Sequence, residues 1–409
     1  MPLTGPDSAA GTRSPRRFYL VTCSGFPNYG DELIAANWLR ELAWRAPDAD
    51  VWVDTHSPGL ASVLLDGLHP RARFVDTVWR LCWAAPTDDP WEVAAWVGHA
   101  VADIGRAPRW AAATELLHNV DVVHLVGGGY LHGKEWPRHV GLLAAALAAN
   151  RRCGARTAMT GQGVAPLVEG SAALFGELVD QFDVADFRDQ TSQRLLRDAG
   201  ASRAGYSCDD AFLGLGSNPE PERAAPEFIL CAQSDMLTVE RSLLAGLILR
   251  TLRDWKVDPA NLGIVECIPG VDRDIFALLE HQLAGARFYP FTEVWRDGLP
   301  VARGQTWLST RFHPHLVAAA LGAKGAAIPV SPDYYLTKHS SLIEQGSGWT
   351  LADDLEVPPV PTGSGFPADV VRGLHAEKLR LAEQIYGPPV ASTGPNPRPR
   401  LWDRARRPR

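Results

Sequence analysis

The chain has 409 residues, 46% apolar and 21% charged. That is the composition of a soluble globular protein, and the length exceeds what one hydrophobic core supports, so two domains are expected. Forty basic against 47 acidic residues leave a net charge of −7, which excludes bulk electrostatic attraction to nucleic acid or to an anionic membrane surface.

Six cysteines, at positions 23, 82, 153, 208, 231 and 267, form no C-x-x-C pair and no zinc spacing. They read as reduced thiols of a cytoplasmic protein. Residues 1–16 are polar and bear Pro, Ser and Arg, and are predicted to be a disordered N-terminus. No signal-peptide core follows them, and no run of about eighteen apolar residues occurs. Fourteen tryptophans are many for this length. Such rings stack on sugars, but they fill cores more often.

In chain order, Arg17–Thr22 reads as a first buried strand, followed by the loop Cys23–Glu32 and a helical run from Leu33. Gly25 and Gly30 let backbone approach a ligand, and Asn28 and Asp31 stand where a helix cap is placed. The loop lacks the G-x-G-x-x-G dinucleotide fingerprint. An acidic Asp31-Glu32 pair at a helix start favours a sugar hydroxyl over a phosphate; capping alone also explains Asp31. Strands are predicted at 51–54, 73–76, 121–126, 155–160 and 184–187, with a tryptophan-bearing helical insertion from Trp79 to Trp110, and the segment 77–115 is where acceptor contacts are expected.

Three of these strands end in polar or glycine turns. Gly127-Gly128-Gly129 follows His124-Leu125-Val126 and leads to His132, Gly161-Gln162-Gly163 precedes Pro166, and Arg188-Asp189 opens a helix that Asp189 or Thr191 caps. Glycines there admit either a ligand or a close-packed helix. Residues 217–225 read as a linker between a domain over 17–216 and another over 226–366. The second half repeats the alternation, with strands at 227–232, 262–267, 286–289, 305–308 and, last, 325–330, and helices at 238–255 and 274–284. A helix at 368–386 is expected to return across the interface, and residues 387–409 are predicted to be a disordered tail.

The densest polar stretch is Ser309-Thr310-Arg311-Phe312-His313-Pro314-His315, at a junction between a strand and a helix that runs from Leu316 to Gly322. In open α/β sheets such junctions face the ligand crevice. An arginine fork with an imidazole two residues on suits an anionic ligand that also exchanges a proton. The plainer alternative is a surface ion pair at Arg311 and a turn residue at His313. The fold class that follows is α/β, two Rossmann-like domains facing a central cleft.

Asn28-Tyr29-Gly30-Asp31-Glu32, Gly127-Gly128-Gly129, Gly161-Gln162-Gly163-Val164-Ala165-Pro166, Arg188-Asp189 with Ser192, Asp209, and Ser309-Thr310-Arg311-Phe312-His313 with Ala318 and Gly322 resemble, in order and spacing, the polysaccharide pyruvyl transferase family. The resemblance covers about residues 17–345. It implies a fold similar to the two-domain GT-B glycosyltransferases. It also implies transfer of pyruvate from phosphoenolpyruvate, as a ketal, onto two hydroxyls of a saccharide acceptor, with loss of phosphate, in cell-surface or exopolysaccharide biosynthesis. By that resemblance Arg188 and Arg311 hold the donor with Ser309, Gly128 and Gly129 beside them, His313 is the acid/base and Asp31 an acidic cleft residue. Asn28, Gly30, Gln162, His132 and His315 are the expected acceptor or cleft residues. His132, His139 and His315 also stand near strand ends and could share the role of His313.

A lipid-linked saccharide is one form the acceptor could take, with peripheral membrane contact through it. No cofactor and no metal is implied, since Asp31-Glu32 and Asp209-Asp210 lack a marked third ligand. Two other functions fit the same fold. One is a nucleotide-sugar glycosyltransferase, for which Glu266 is the nearest ribose-binding candidate. The other is a non-catalytic sugar-binding or scaffold member, against which the two arginines argue.

Overall fold

The computed structural model describes residues 15–134, 136–216, 225–352 and 356–389. Seven parallel strands form a first sheet: β1 (Arg17–Val21), β2 (Asp50–Asp54), β3 (Ala72–Val75), β4 (Val122–Leu125), β5 (Arg156–Gln162), β6 (Val184–Phe187) and β7 (Ala204–Tyr206). They lie in the order β3-β2-β1-β4-β5-β6-β7. A second parallel sheet contains β8 (Phe228–Cys231), β9 (Leu262–Val265), β10 (Arg287–Tyr289), β11 (Thr306–Ser309), β12 (Lys324–Ala327) and β13 (Thr350–Leu351), in the order β10-β9-β8-β11-β12-β13. Each sheet runs outward from its first strand and then crosses to the other side. The reversal falls between β1 and β4 and again between β8 and β11, which is where doubly wound sheets open a crevice.

Central strands are buried along nearly their whole length because helices cover both faces. Phe18 and Leu20 of β1 enter one buried cluster and Tyr19 and Val21 another, the two faces alternating along the strand. The Phe18 side is continuous with Ile229, Trp307 and Leu316 of the second half, so one apolar core joins the two sheets. The segment from Trp79 to Trp110 is a series of helices joined by short turns, with Thr77–Ala84 and Pro90–Ala102 packed on the helix Val140–Cys153.

Several predicted elements differ in extent. Asn28, and not Asp31, caps the helix Tyr29–Arg45, its side chain accepting the N–H of Gly30 at 3.2 Å. Asp189 caps Gln190–Asp198 through the N–H of Ser192 at 2.7 Å. The helix expected after His315 begins at Phe312, because Pro314 fits a first turn whose N–H groups have no intrahelical partner. The helix expected over 274–284 spans Val271–Leu279, and β12 is followed by a further strand, β13.

The helix Ala368–Tyr386 lies against the first sheet. Its Tyr386 hydroxyl meets His124 Nδ1 at 2.8 Å, and its Lys378 Nζ stands 2.8 Å from both Asp186 and Asp210. The predicted linker at 217–225, apart from Ala225, and most of both predicted disordered ends lie outside the described residues. No helix among those residues is long and apolar enough to cross a membrane.

Candidate functional site

Where the two sheets meet, a cleft of about 450 Å³ opens at the carboxyl ends of the strands. Its walls are the loops after β1 (Cys23, Asn28, Asp31), β4 (Gly129, Tyr130), β6 (Arg188), β8 (Asp235), β9 (Cys267, Ile268), β11 (Arg311 to Pro314) and β12 (Tyr334, Tyr335, Lys338). Backbone joins the halves here, the N–H of Tyr29 donating to the carbonyl of Cys267 at 3.0 Å.

Arg188 comes from the first half and Arg311 from the second. The Arg188 side chain is 2% exposed; it donates through Nη1 to Asp209 Oδ2 at 3.1 Å and lies 4.8 Å over the ring of Phe312. Arg311 donates through Nε to Asp272 Oδ1 at 3.1 Å, its Nη2 also reaches Asp272, and Nη2 stands 2.9 Å from Asp235 Oδ1. Both forks are thus oriented by buried carboxylates before any ligand arrives. Lys338, at the start of the helix Thr337–Glu344, is a third cation. Its Nζ lies 3.5 Å over the Tyr334 ring and has no carboxylate within salt-bridge distance among the described residues. A Cβ on Gly129 would stand 2.4 Å from the Tyr334 hydroxyl, 3.2 Å from Arg188 Nη2 and 3.4 Å from Lys338 Nζ, so a side chain there would block the approach of both cations.

Asp209 joins these groups. One oxygen holds Arg188, and the other stands 3.6 Å from His313 Nε2. Burial pushes the Asp209 carboxyl up, but His313, Arg188 and the Ala211 N–H together hold it below the usual carboxylate range. It is therefore an anion at neutral pH, placed against the imidazole ring. The His313 ring lies against Gly30, on which a Cβ would fall 1.7 Å from Nδ1. Asp31 accepts the Asn28 amide at 2.9 Å. Burial raises its carboxyl above the ordinary value while His313, Lys338 and Arg188 pull back. Burial lowers the Lys338 ammonium well below its usual range, with Arg188 adding to the fall.

Of the side chains singled out in the sequence, the cleft brings together Asn28, Gly30, Asp31, Gly129, Arg188, Arg311 and His313. Others turn inward. The Ser309 hydroxyl donates to the Arg311 carbonyl at 2.9 Å and accepts the Arg311 N–H at 3.1 Å, so it shapes the loop and is not directed at a donor. The His315 ring is buried between His339 Nδ1, at 3.0 Å, and the Ser347 hydroxyl, at 2.9 Å; its expected place in the cleft is corrected to the interior of the second half. Gln162 donates to the Val126 carbonyl at 2.8 Å and to Tyr130 at 3.1 Å, a structural tie and not a cleft contact. Gly128 lies beneath Tyr130, whose ring a Cβ would meet at 2.8 Å. His132 packs edge-on to Tyr334 at 4.5 Å, behind the lining, and burial lowers its pKa to about 4. Glu266 accepts the N–H groups of Gly270 and Phe291 and pairs with Arg273, so its oxygens are taken up locally.

Sequence reasoning passed over Lys338, Asp235 and Asp272. The sequence signal for Lys338 is Tyr334-Tyr335-Leu336-Thr337-Lys338-His339, a polar junction after a strand that matches the one at Arg311. The outer end of the cleft is aromatic, with Phe26 65% and Trp83 51% exposed beside Trp136, His56 and His139.

No curated protein sequence matches the chain significantly. A UDP-N-acetylglucosamine 2-epimerase structure superposes with TM-score 0.51 at 13% identity, covering 93% of this chain and 99% of that one. A putative enzyme of the same description from Listeria monocytogenes superposes at 0.47 with 11% identity and coverages of 92% and 90%. The first of these shows the shared two-domain GT-B-like fold and nothing finer. The polysaccharide pyruvyl transferase family model matches residues 28–332. That span includes β2 to β12, both arginines and His313, and the chain belongs to the polysaccharide pyruvyl transferase family.

Proposed function

We propose that the protein transfers pyruvate from phosphoenolpyruvate onto two hydroxyls of a saccharide, forming a ketal and releasing phosphate. The observation that carries this reading is the convergence of Arg188, Arg311 and Lys338 from both halves on one cleft that also holds His313. Phosphoenolpyruvate presents a phosphate and a carboxylate, and planar guanidinium forks match both.

His313, beside the Asp209 carboxylate, gives a proton to the enol methylene, which becomes a methyl group. The adjacent carbon acquires oxocarbenium character, which one sugar hydroxyl attacks while losing its proton. Phosphate departs carrying the first hydroxyl's proton, the second hydroxyl attacks and its proton returns to His313, which closes the ketal, and the cations take up the leaving charge. Asp31, its carboxyl 2.9 Å from Asn28, orients or deprotonates a sugar hydroxyl. The acceptor ring lies toward Phe26, Trp83 and Trp136, whose faces suit the apolar side of a sugar. The reaction requires no cofactor, and the acceptor, free or lipid-linked, is reached from the cytoplasmic side.

Isothermal titration with phosphoenolpyruvate beside a nucleotide-sugar panel tests this. Saturable phosphoenolpyruvate binding is expected, lost in Arg311→Ala but retained in His313→Ala, which drops turnover about 100- to 10,000-fold. An active His313→Ala enzyme removes the mechanism. Binding of a nucleotide sugar alone assigns the chain to glycosyl transfer instead.

A further inference from the structure

We propose that Cys231, Cys267 and Asp272 form a binding site for a thiophilic divalent cation, of the Zn²⁺ class, at the base of the cleft beside Arg311. Cys231 ends β8, and Cys267 lies two residues past the end of the neighbouring strand β9. Their sulfurs are 3.7 Å apart. Two thiolates each about 2.3 Å from a tetrahedral zinc stand about 3.8 Å from one another, so the pair already has the separation of two zinc ligands. An oxygen of Asp272 completes a set in which all three ligand atoms lie within 4.8 Å of each other.

The carboxylate is oriented in advance. Asp272 Oδ2 accepts the N–H of Cys267 at 2.8 Å and of Ile268 at 3.1 Å, and Oδ1 accepts Arg311. Such outer contacts fix a ligand's direction before a metal arrives. Charge closes as well. Asp272 with Arg311 is neutral, and two thiolates with a divalent cation add nothing, so the buried part of the site stays neutral, Asp235 on the far side of Arg311 being 35% exposed to water. Each thiol releases its proton to solvent on binding, which makes affinity rise with pH. Cys267 and Ile268 line the cleft, which supplies the entry path and leaves the fourth position on the ligand side. The cation and Arg311 share Asp272, so an occupied site acts directly on the guanidinium.

The sequence spacing hid the set, because thirty-five residues separate the cysteines and the ligands meet only through the pairing of β8 with β9. The test is titration of the reduced, metal-free full chain with Cd²⁺ alone, following thiolate-to-cadmium charge-transfer absorption, and with Zn²⁺ while counting protons released. One cation per chain, with two protons released, is expected. Cys231→Ser and Cys267→Ser should each lose more than tenfold in affinity, while exposed Cys153→Ser keeps it. X-ray absorption of the zinc complex of the unaltered chain, which does not depend on how a serine variant folds, should show two sulfur neighbours at about 2.3 Å. A zinc shell without sulfur, or a cadmium band unchanged in both serine variants, overturns the proposal.

Discussion

A methyl group on Gly30 would stand 1.7 Å from Nδ1 of His313, inside the ring's own envelope. Alanine favours a helix over glycine by about 0.5–1 kcal/mol, and Gly30 lies in the first turn of one. That gain is smaller than the cost of displacing a packed ring, so Gly30→Ala is expected to lower thermal stability modestly while turnover falls about 100-fold or more, because the imidazole is driven off Asp209. Calorimetry beside a turnover assay separates the two effects, and wild-type turnover would show that His313 works from another position.

Glu32, its neighbour but one, is fully buried. Its Oε1 accepts the Gly25 N–H at 2.6 Å, Oε2 has no hydrogen-bond partner among the described residues, and burial raises the pKa to about 8. Between about pH 4.5 and 8 the folded chain holds a proton that the unfolded chain has lost, so this group's stabilising share is present in acid and is lost as pH rises through that window. Glu32→Gln keeps the acceptor for Gly25 without the ionisation. Its unfolding free energy should exceed that of the parent above pH 8, with the difference vanishing near pH 4; parallel urea titrations check this. Glycine at position 30 could be read in the sequence as loop flexibility. That it makes room for a histidine 283 residues away could not, since only the meeting of two helix starts creates the contact.

At the scale of elements, β1 to β6 and β8 to β12 were legible as apolar or β-branched runs, while β7 and β13 were not. β7 is Ala204-Gly205-Tyr206 and β13 is Thr350-Leu351, too short to show periodicity, and each exists because an exposed sheet edge accepts it. The helix Ala368–Tyr386 was legible to the residue, with Pro367 before it and Gly387 after it. Its role was less legible, for Lys378 looks like a solvated residue until Asp186 and Asp210 surround it. Asp210 also accepts Trp38 Nε1 at 2.7 Å, the Gly127 N–H at 2.9 Å and the Thr160 hydroxyl at 2.6 Å, so this one lysine balances a hub of four elements. Lys378→Met leaves two buried carboxylates facing each other and is expected to cost about 3–5 kcal/mol in chemical denaturation. Full stability in that variant would mean that the carboxylates share a proton instead.

At the scale of the whole molecule, alternating strands and helices predicted two Rossmann-like halves, and both sheets have that order. The cleft followed from strand ends; its charge pairing did not, because Arg188 with Asp209 and Arg311 with Asp272 are matched across loops by the fold alone. The apolar cluster continuous between the sheets makes the final helix a shared component. A chain ending at residue 366 lacks Val371, Ala382, Ile385 and Tyr386, all buried in that cluster. It is expected to aggregate or elute as an expanded species in size-exclusion chromatography, with recovery of the compact form when residues 367–389 are supplied in trans.

Arg16 Nη1 donates to the Tyr386 carbonyl at 2.6 Å, and Tyr386 packs on Phe18 with ring centroids 4.9 Å apart. The opening strand of the first sheet is thus completed by a segment that the ribosome delivers 370 residues later. During synthesis the first half emerges with its acidic hub uncompensated and one face bare, and it waits through some 160 further residues for its lid.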